Sequence, residues 1–496
     1  MSKKILAFDF GGSSGRAMVG EYDEQEKCIH VEEVHRFTND TVLVNGHMYW
    51  DILRLFFEVK AGIAKALKFA GHIDAIGIDT WGVDFGLLDE RGELLGNPVH
   101  YRDERTVGMP EEVFETVSKH ELYQRTGIQC MRINTLYQLY YLFHYRPEVM
   151  AAAKTMLFIP DLFAYFLTGE KRAERTNATT SNMFDPVVGD WAYDVLEKLG
   201  IDRKVLPPII RTGEAYGTLL PEICEELGCD PIPVIAVCTH DTASAVLSAP
   251  AEGDFAYISC GTWSLFGTEL ARPLINDASE KVEYTNEGGY GGTTTFLKNI
   301  MGLWLIQESR RQWIREGFDV SYADLEREAL AAEPFRSFID CDAPEFELAG
   351  DLPGRVRQFC RATGQPVPES RGEVMRCIYQ SLAMKYKQNY TNLCELAGKQ
   401  FAQMNMLGGG IKDTLLCRMT ADATGVKVVA GPAEATVIGN ISAQLLALGQ
   451  MQDVREVRDV VKRSTPLKVY EPTEPEAWEK HYDAFRAVLG KTGRDA

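Results

Sequence analysis

The 496-residue sequence has no C-x-x-C pair, and its eleven cysteines and nine histidines fall into no metal-ligand spacing. This excludes a zinc ribbon, a thioredoxin-like redox motif and a patterned disulfide framework. An odd, scattered set of cysteines is expected to be free thiols, mostly buried as small apolar groups. Cys360 and Cys377 flank one loop, and thiols rather than a bridge are expected there as well. Positive charge is also scarce. The 52 Lys and Arg face 71 Asp and Glu, a net charge of −19, so no basic stripe for nucleic acid is expected. No apolar run approaches the roughly 18 residues that a membrane span needs. Lys3-Lys4 precede only Ile5 to Phe8 before Asp9 interrupts, which does not fit a secretory signal. Neither G-x-x-x-x-G-K-[ST] nor G-x-G-x-x-G occurs in the first glycine-rich stretch. The expectation is a cytoplasmic protein, without membrane or nucleic-acid partners, acting as a monomer or homodimer.

An apolar share of 45% and a charged share of 25% are those of an ordinary globular protein. The length exceeds what one core supports, so two large domains are expected. Lys4 to Phe10 alternates as a strand, Gly11 to Gly15 makes a tight turn, and Arg16 to Tyr22 alternates again. That is a β-hairpin with a glycine-rich tip. Trp50 to Ala70 reads as an amphipathic helix with Ile52, Leu53, Phe56, Phe57, Val59, Ile63 and Leu67 on its apolar side. Ile73 to Asp79 is a strand that runs into the polar loop Thr80-Trp-Gly-Val-Asp84. Residues 104–230 look helix-rich, and Ser248 to Gly253 suits a domain junction. The opening pattern then recurs: Phe255 to Ser259 alternates, Cys260-Gly-Thr262 turns, and Trp263 to Thr268 continues as a strand. A hairpin opening each half points to a duplicated domain. Lys298 to Trp304 is read as the opening of a helix that carries Gln307. Met404 to Gly410 is a strand entering a third glycine turn before a helix over 413–424. Val426 to Ala430 is another strand, Gly431 to Leu448 ends in a small-residue helix, and Val469 to Leu489 is a strand followed by a helix. The division expected is 1–247, 248–455 and a tail of 456–496 packing back on the body.

The stretch Val234 to Val246 draws the chemistry together. A short strand gives way to the turn Thr239-His-Asp-Thr242 and then to a helix of small residues. Asp241 at this handover can cap the helix, accept a proton from a substrate hydroxyl, or do both. The three glycine turns bring backbone N–H groups close to a ligand, as phosphate oxygens require. Asp9 beside the first turn is a turn former or, next to a polyphosphate, a ligand for Mg²⁺ through water. Trp81 is core or a platform for a polyhydroxylated ligand, with Gly82 and Asp84 beside it. His240 is structural or sugar-facing, and Asn299 begins a helix or bonds a hydroxyl. Arg16 and Lys298 receive no catalytic role. Phosphoryl transfer needs phosphate donors, Mg²⁺ and a base on the attacking hydroxyl. The sequence supplies a candidate for each.

The stretches Phe8-Asp-Phe-Gly-Gly-Ser-Ser-Gly-Arg16, Gly77 to Phe85, Tyr101-Arg-Asp103, Asn134 to Gln138 and Thr176 to Thr180 resemble the FGGY carbohydrate kinases. So do His240 to Val246, Gly261 to Leu265, Thr285 to Gly289, Lys298 to Trp304, Gly431 to Ala435 and Gly439 to Ile441. The family lies within the actin/hexokinase-like ATPase group, and several of these stretches are similar to its L-rhamnulose-phosphorylating branch. The resemblance implies an α/β fold of two ribonuclease-H-like domains closing over a central cleft. It implies transfer of a phosphoryl group from ATP to the 1-hydroxyl of L-rhamnulose, in L-rhamnose catabolism. Alternatives are another ketose or polyol, such as L-fuculose, or a non-catalytic ATP-binding sensor. By motif, Gly12, Ser13, Ser14, Gly15, Arg16 and Thr262 would hold phosphates, while Gln307 and Gly409 would bind the nucleotide. Gly82, Asp84, His240, Thr242 and Asn299 would line the sugar site, with Asp241 as base. Gly12 and Cys260 depart from the Ala and Ser expected of related kinases, and both keep the backbone accessible.

Overall fold

The structure, a computed structural model, describes residues 2–491. The chain opens with β1 (Lys3–Phe10), β2 (Ser14–Asp23), β3 (Cys28–Thr38), the helix α1 (Ile52–Ala70) and β4 (Ala75–Thr80). After a helix-rich stretch come β5 (Ala215–Thr218), β6 (Pro233–Ile235) and α2 (Asp241–Leu247). Next are β7 (Ala256–Cys260), β8 (Trp263–Leu270), β9 (Thr294–Met301), α3 (Trp304–Arg315) and α4 (Arg371–Ala397). The chain continues with β10 (Gln403–Leu407), α5 (Thr414–Thr424), β11 (Lys427–Ala430), α6 (Ala435–Ala447), α7 (Val454–Ser464), β12 (Lys468–Tyr470) and α8 (Pro475–Lys491). Among the described residues no helix is long and apolar enough to cross a membrane. All eleven cysteines are free thiols, and the Cys360 and Cys377 side chains are hydrogen-bonded neighbours.

Two compact bodies result, and neither is a continuous segment. The first comprises Met1–Pro250, Glu269–Phe296 and Ala435–Thr465; the second comprises Ala251–Thr268, Leu297–Glu434 and Pro466–Ala496. The sequence-based division at 248 and 456 is contiguous, so it assigns α6 to the second half, whereas α6 packs in the first body.

The first body is built on a six-stranded sheet in the order β5-β6-β4-β1-β2-β3. The hairpin β1–β2 is antiparallel, pairing Asp9 with Arg16 and Phe10 with Gly15. β1 is parallel to β4, β4 is parallel to β6, and β6 is antiparallel to β5. In the second body the strands run β9-β8-β7-β10-β11-β12. Here β7–β8 is an antiparallel hairpin, β7 is parallel to β10, β10 is parallel to β11, and β11 is antiparallel to β12. The same succession of pairings thus occurs twice, as the two matching hairpins in the sequence imply.

Helices bury the sheet of the first body. α1 places Ile52, Leu55, Val59 and Ile63 in the core, each worth about 1.5–3 kcal/mol on burial. Asp51 caps its start by accepting from the Arg54 N–H, and Gly71 ends it at φ +80°. The expected apolar side is rotated from the observed one. Leu53 and Phe57 are more than 60% exposed, because the residues of one helical face recur at three and four, and Leu55 belongs to the 52–59–63 row. α6 lies on the sheet through close contacts that glycine permits. A Cβ at Gly77 would meet Asn440 Oδ1 and Gln444 Nε2 at 2.5 Å, and one at Gly20 would meet Ile441 at 2.5 Å. Asn440 and Gln444 donate in turn to Asp79 (2.6 Å) and to the Leu6 carbonyl (3.1 Å).

One local expectation is corrected. Lys298 to Met301 lies in β9, and α3 begins only at Trp304. Asn299 is therefore a strand residue and not a helix-start residue, while Gln307 does lie on α3.

Candidate active site

In the first body the tip of the β1–β2 hairpin is held by Gly11 N–H donating to the Ser14 carbonyl (2.9 Å). Asn39 pins it from the side: its N–H donates to the Ser13 carbonyl (3.1 Å) and its Nδ2 to the Gly11 carbonyl (2.9 Å). Gly12 and Ser13 are exposed, and a Cβ at Gly12 would touch nothing within 4 Å. Gly15 is glycine for a packing reason, since a Cβ there would meet the Phe37 ring at 2.3 Å. Asp9 is the second-last residue of β1 and pairs with Arg16. Asp79, opposite Asp9 in the parallel register, is fully buried. Burial, and then the charge of Asp9, hold its carboxyl well above the usual carboxylate range.

The loop after β4 is bound on several sides. Thr80 N–H donates to the Thr239 carbonyl (2.9 Å). A Cβ at Gly82 would meet Thr180 Oγ1 at 2.9 Å, so the loop can lie against Thr180 only as glycine. Val83 sits at φ +69°, a conformation that costs a β-branched residue on the order of 1–3 kcal/mol. It is held there by Thr135 Oγ1 and Gln138 Nε2, which donate to its carbonyl at 2.7 and 3.3 Å. Asp84 is 1% exposed. It accepts from Trp50 Nε1 (2.6 Å), Trp81 Nε1 (3.0 Å), Tyr101 N–H (3.2 Å) and Gln138 Nε2 (3.2 Å). Burial pushes its carboxyl up to about 6 against the pull of these donors. With both oxygens engaged by protein donors, Asp84 organises the loop and is not presented to a ligand. Trp81 is likewise mostly buried, its ring 4.2 Å from that of Trp50.

At the handover from β6 to α2, His240 occupies the N-cap position without a side-chain cap, and Asp241 is the first residue of α2. The capping role open to Asp241 in the sequence is therefore not realised. Its carboxylate accepts instead from Thr242 Oγ1 (3.1 Å), and 36% of the side chain is exposed. Burial pushes its carboxyl up, the His240 ring opposes this, and the charge of Asp9 adds to it. His240 Nε2 lies 3.5 Å from Asp241 Oδ1, and its Nδ1 lies 3.2 Å from Glu287 Oε2. Burial alone would lower the His240 pKa, but Glu287 and then Asp241 outweigh it and raise the value. Sequence reasoning missed Asn39, Asp79, Glu174 and Glu287. Asp79 and Glu287 lie within stretches that carried the family resemblance, which was their only signal.

In the second body Gly261 and Thr262 are exposed at the tip of the β7–β8 hairpin. The Thr262 carbonyl accepts from the N–H groups of Gly302 (3.1 Å) and Trp304 (3.2 Å), and the Gly261 carbonyl from that of Leu303 (3.0 Å). The start of α3, which carries Gln307, thereby supports the tip. The third glycine turn lies against the same tip: a Cβ at Gly410 would meet Cys260 Sγ at 2.4 Å and its carbonyl at 2.6 Å. Gly408 is at φ +84°, and Gly409 is exposed with nothing within 4 Å of a Cβ. Thr262, Gln307 and Gly409 are thus gathered around one hairpin end, while Asn299 is partly buried in β9.

The chain is similar to known proteins. Residues 4–248 match the N-terminal domain of the FGGY family of carbohydrate kinases, and residues 256–448 match its C-terminal domain. A curated rhamnulokinase of Bacteroides thetaiotaomicron is 42% identical over 487 residues, covering 98% of this chain and 99% of that protein. One from Halalkalibacterium halodurans is 41% identical, with 94% and 98% covered. Among solved structures, a ligand-bound xylulose kinase from Lactobacillus acidophilus has a TM-score of 0.84 at 18% identity, with 99% of this chain and 98% of that chain covered. Plasmodium falciparum glycerol kinase with ADP has a TM-score of 0.79 at 16% identity, with 100% and 98% covered. With both family domains matched in order over nearly its whole length, the chain belongs to the FGGY family of carbohydrate kinases.

Proposed function

We propose that the protein transfers the γ-phosphoryl group of ATP to the 1-hydroxyl of L-rhamnulose, giving L-rhamnulose 1-phosphate and ADP. The observation that carries this reading is the 40–42% identity to three curated rhamnulokinases over nearly the full chain. The site residues support it. Asp241, on the first turn of α2 with part of its carboxylate open to solvent, takes the proton of the attacking hydroxyl. Gly82, His240 and Thr242 in the first body serve the sugar, and Asn299 in the second is assigned to it by motif. Gly12, Ser13, Ser14, Gly15 and Arg16 in the first body hold phosphates, with Thr262, Gln307 and Gly409 in the second serving the nucleotide.

The residues present fit a hydrated Mg²⁺ at Asp9. Burial raises the carboxyls of Asp79 and Asp241, and the charge of Asp9 adds to each. Among the described residues, however, the one group of at least three His, Cys, Asp or Glu with ligand atoms within 4.8 Å is His120, Asp277 and Glu280. Asp9, Asp79 and Asp241 are not such a group, and in this reading Asp9, paired with Arg16, holds the ion through water. Bound there, Mg²⁺ would offset phosphate charge and complete the nucleotide as a phosphoryl donor.

The test is Asp241→Asn. It should lower kcat by about 10²–10⁴-fold, the scale of removing a general base, with a much smaller effect on ATP binding. Near-wild-type turnover would remove Asp241 from the mechanism. ADP release independent of added sugar would instead favour an ATP-binding sensor.

A further inference from the structure

The turn that carries Asp241 is anchored by a buried carboxylate. Glu174 has no solvent exposure. Its Oε2 accepts from Thr176 N–H (2.9 Å), Thr176 Oγ1, Thr239 N–H (3.1 Å) and Thr239 Oγ1 (2.9 Å). Its Oε1 accepts from Thr212 Oγ1 (2.6 Å). The Thr176 hydroxyl it engages accepts in turn from the His240 N–H (3.2 Å). Three separate stretches, around 176, 212 and 239, therefore converge on one side chain that is itself fixed, since the Glu174 N–H donates to the buried Asp161 (3.0 Å). The backbone of Thr239 and His240 is held two residues and one residue ahead of Asp241, and the Thr239 carbonyl is tied to Thr80 on the other side.

We propose that Glu174 is a positioning residue for phosphoryl transfer: by gathering five donors it fixes the Thr239–His240 backbone and so the place of the Asp241 carboxylate. It touches neither substrate nor nucleotide in this account. The proposal rests on Asp241 being the base. An anchored turn matters because a reacting group misplaced by about 1 Å can cost about 10²-fold in rate. A Gln at 174 replaces one acceptor oxygen with an amide that faces donors, so part of the clamp is lost while side-chain size is kept.

The decisive experiment is a double-mutant cycle with L-rhamnulose and ATP. Glu174→Gln should lower kcat by about 10–100-fold, with the KM for ATP within about twofold of wild type. In the Asp241→Asn background the same change should alter the residual kcat by less than about twofold, because a group acting through Asp241 has nothing left to position. An equal loss in both backgrounds, or wild-type kcat in Glu174→Gln, would overturn the role of Glu174 while leaving Asp241 as base. Near-wild-type turnover in Asp241→Asn would overturn both. If Glu174→Gln does not fold, Thr239→Val removes one of the five donors and takes its place. It should lower kcat several-fold in the wild-type background and leave the Asp241→Asn residual unchanged; equal losses would again overturn the proposal.

Discussion

Asp84 shows how a single buried carboxylate can organise a loop at a cost that depends on pH. Its pKa lies near 6 in the folded protein against an ordinary 3.8, because burial outweighs its four donors. The folded state therefore holds a proton that the unfolded chain releases. That contribution to stability is complete below about pH 4 and is lost as pH rises through 6. The displacement corresponds to on the order of 3 kcal/mol. Asp84→Asn cannot titrate at this position, so between pH 4 and 7 the wild type should lose stability relative to the variant by about that amount. Denaturant unfolding of both proteins across this range measures it, and a difference independent of pH would contradict the account. At this scale the sequence was informative about residue types but not about partners. It singled out Asp84 and His240, while the groups that decide their behaviour lie far away along the chain. Trp50 and Gln138 are 34 and 54 positions from Asp84, and Glu174 is 65 from Thr239. No periodicity links such pairs, so nothing in the sequence pointed to Glu174, and Glu287 was signalled only by the family resemblance of its stretch.

At the scale of elements, both hairpins, the third glycine turn and the strand–turn–helix around Asp241 were legible. Each is signalled locally by alternation, glycine and small residues. Two readings failed for tertiary reasons, the apolar face of α1 and the segment around Asn299. The segment from Lys298 to Trp304 holds both a strand end and a helix start, separated only by Gly302 and Leu303. A Cβ at Gly302 would meet Ser264 Oγ at 2.6 Å, so close packing against β8 sets this boundary. The helix α6 was recognised, and the fold adds that it packs against α2 and the first sheet. That contact gives an element-scale prediction. A Cβ on Gly439 would lie 1.8 Å from the Ser244 carbonyl of α2, and backbone cannot yield as a flexible side chain can. Gly439→Ala should destabilise the protein by about 2 kcal/mol or more, the scale of overpacking a core. It should also lower kcat, because α2 carries Asp241 on its first turn. Thermal unfolding with steady-state kinetics tests both, and unchanged stability would show that α6 is not seated on α2 as described.

At the scale of the whole molecule, one succession of strand pairings appears twice, each copy opening with a hairpin whose tip is accessible. This plan is shared with xylulose and glycerol kinases at 16–18% identity, so it establishes the frame without choosing the sugar. The choice of L-rhamnulose rests on the much higher identity to rhamnulokinases. The measurement that tests this most directly is ADP formation with ATP and Mg²⁺ across a panel of L-rhamnulose, L-fuculose, D-xylulose, L-ribulose and glycerol. The account predicts the highest kcat/KM for L-rhamnulose, with phosphate on its 1-hydroxyl; a higher kcat/KM for any other member of the panel would contradict it.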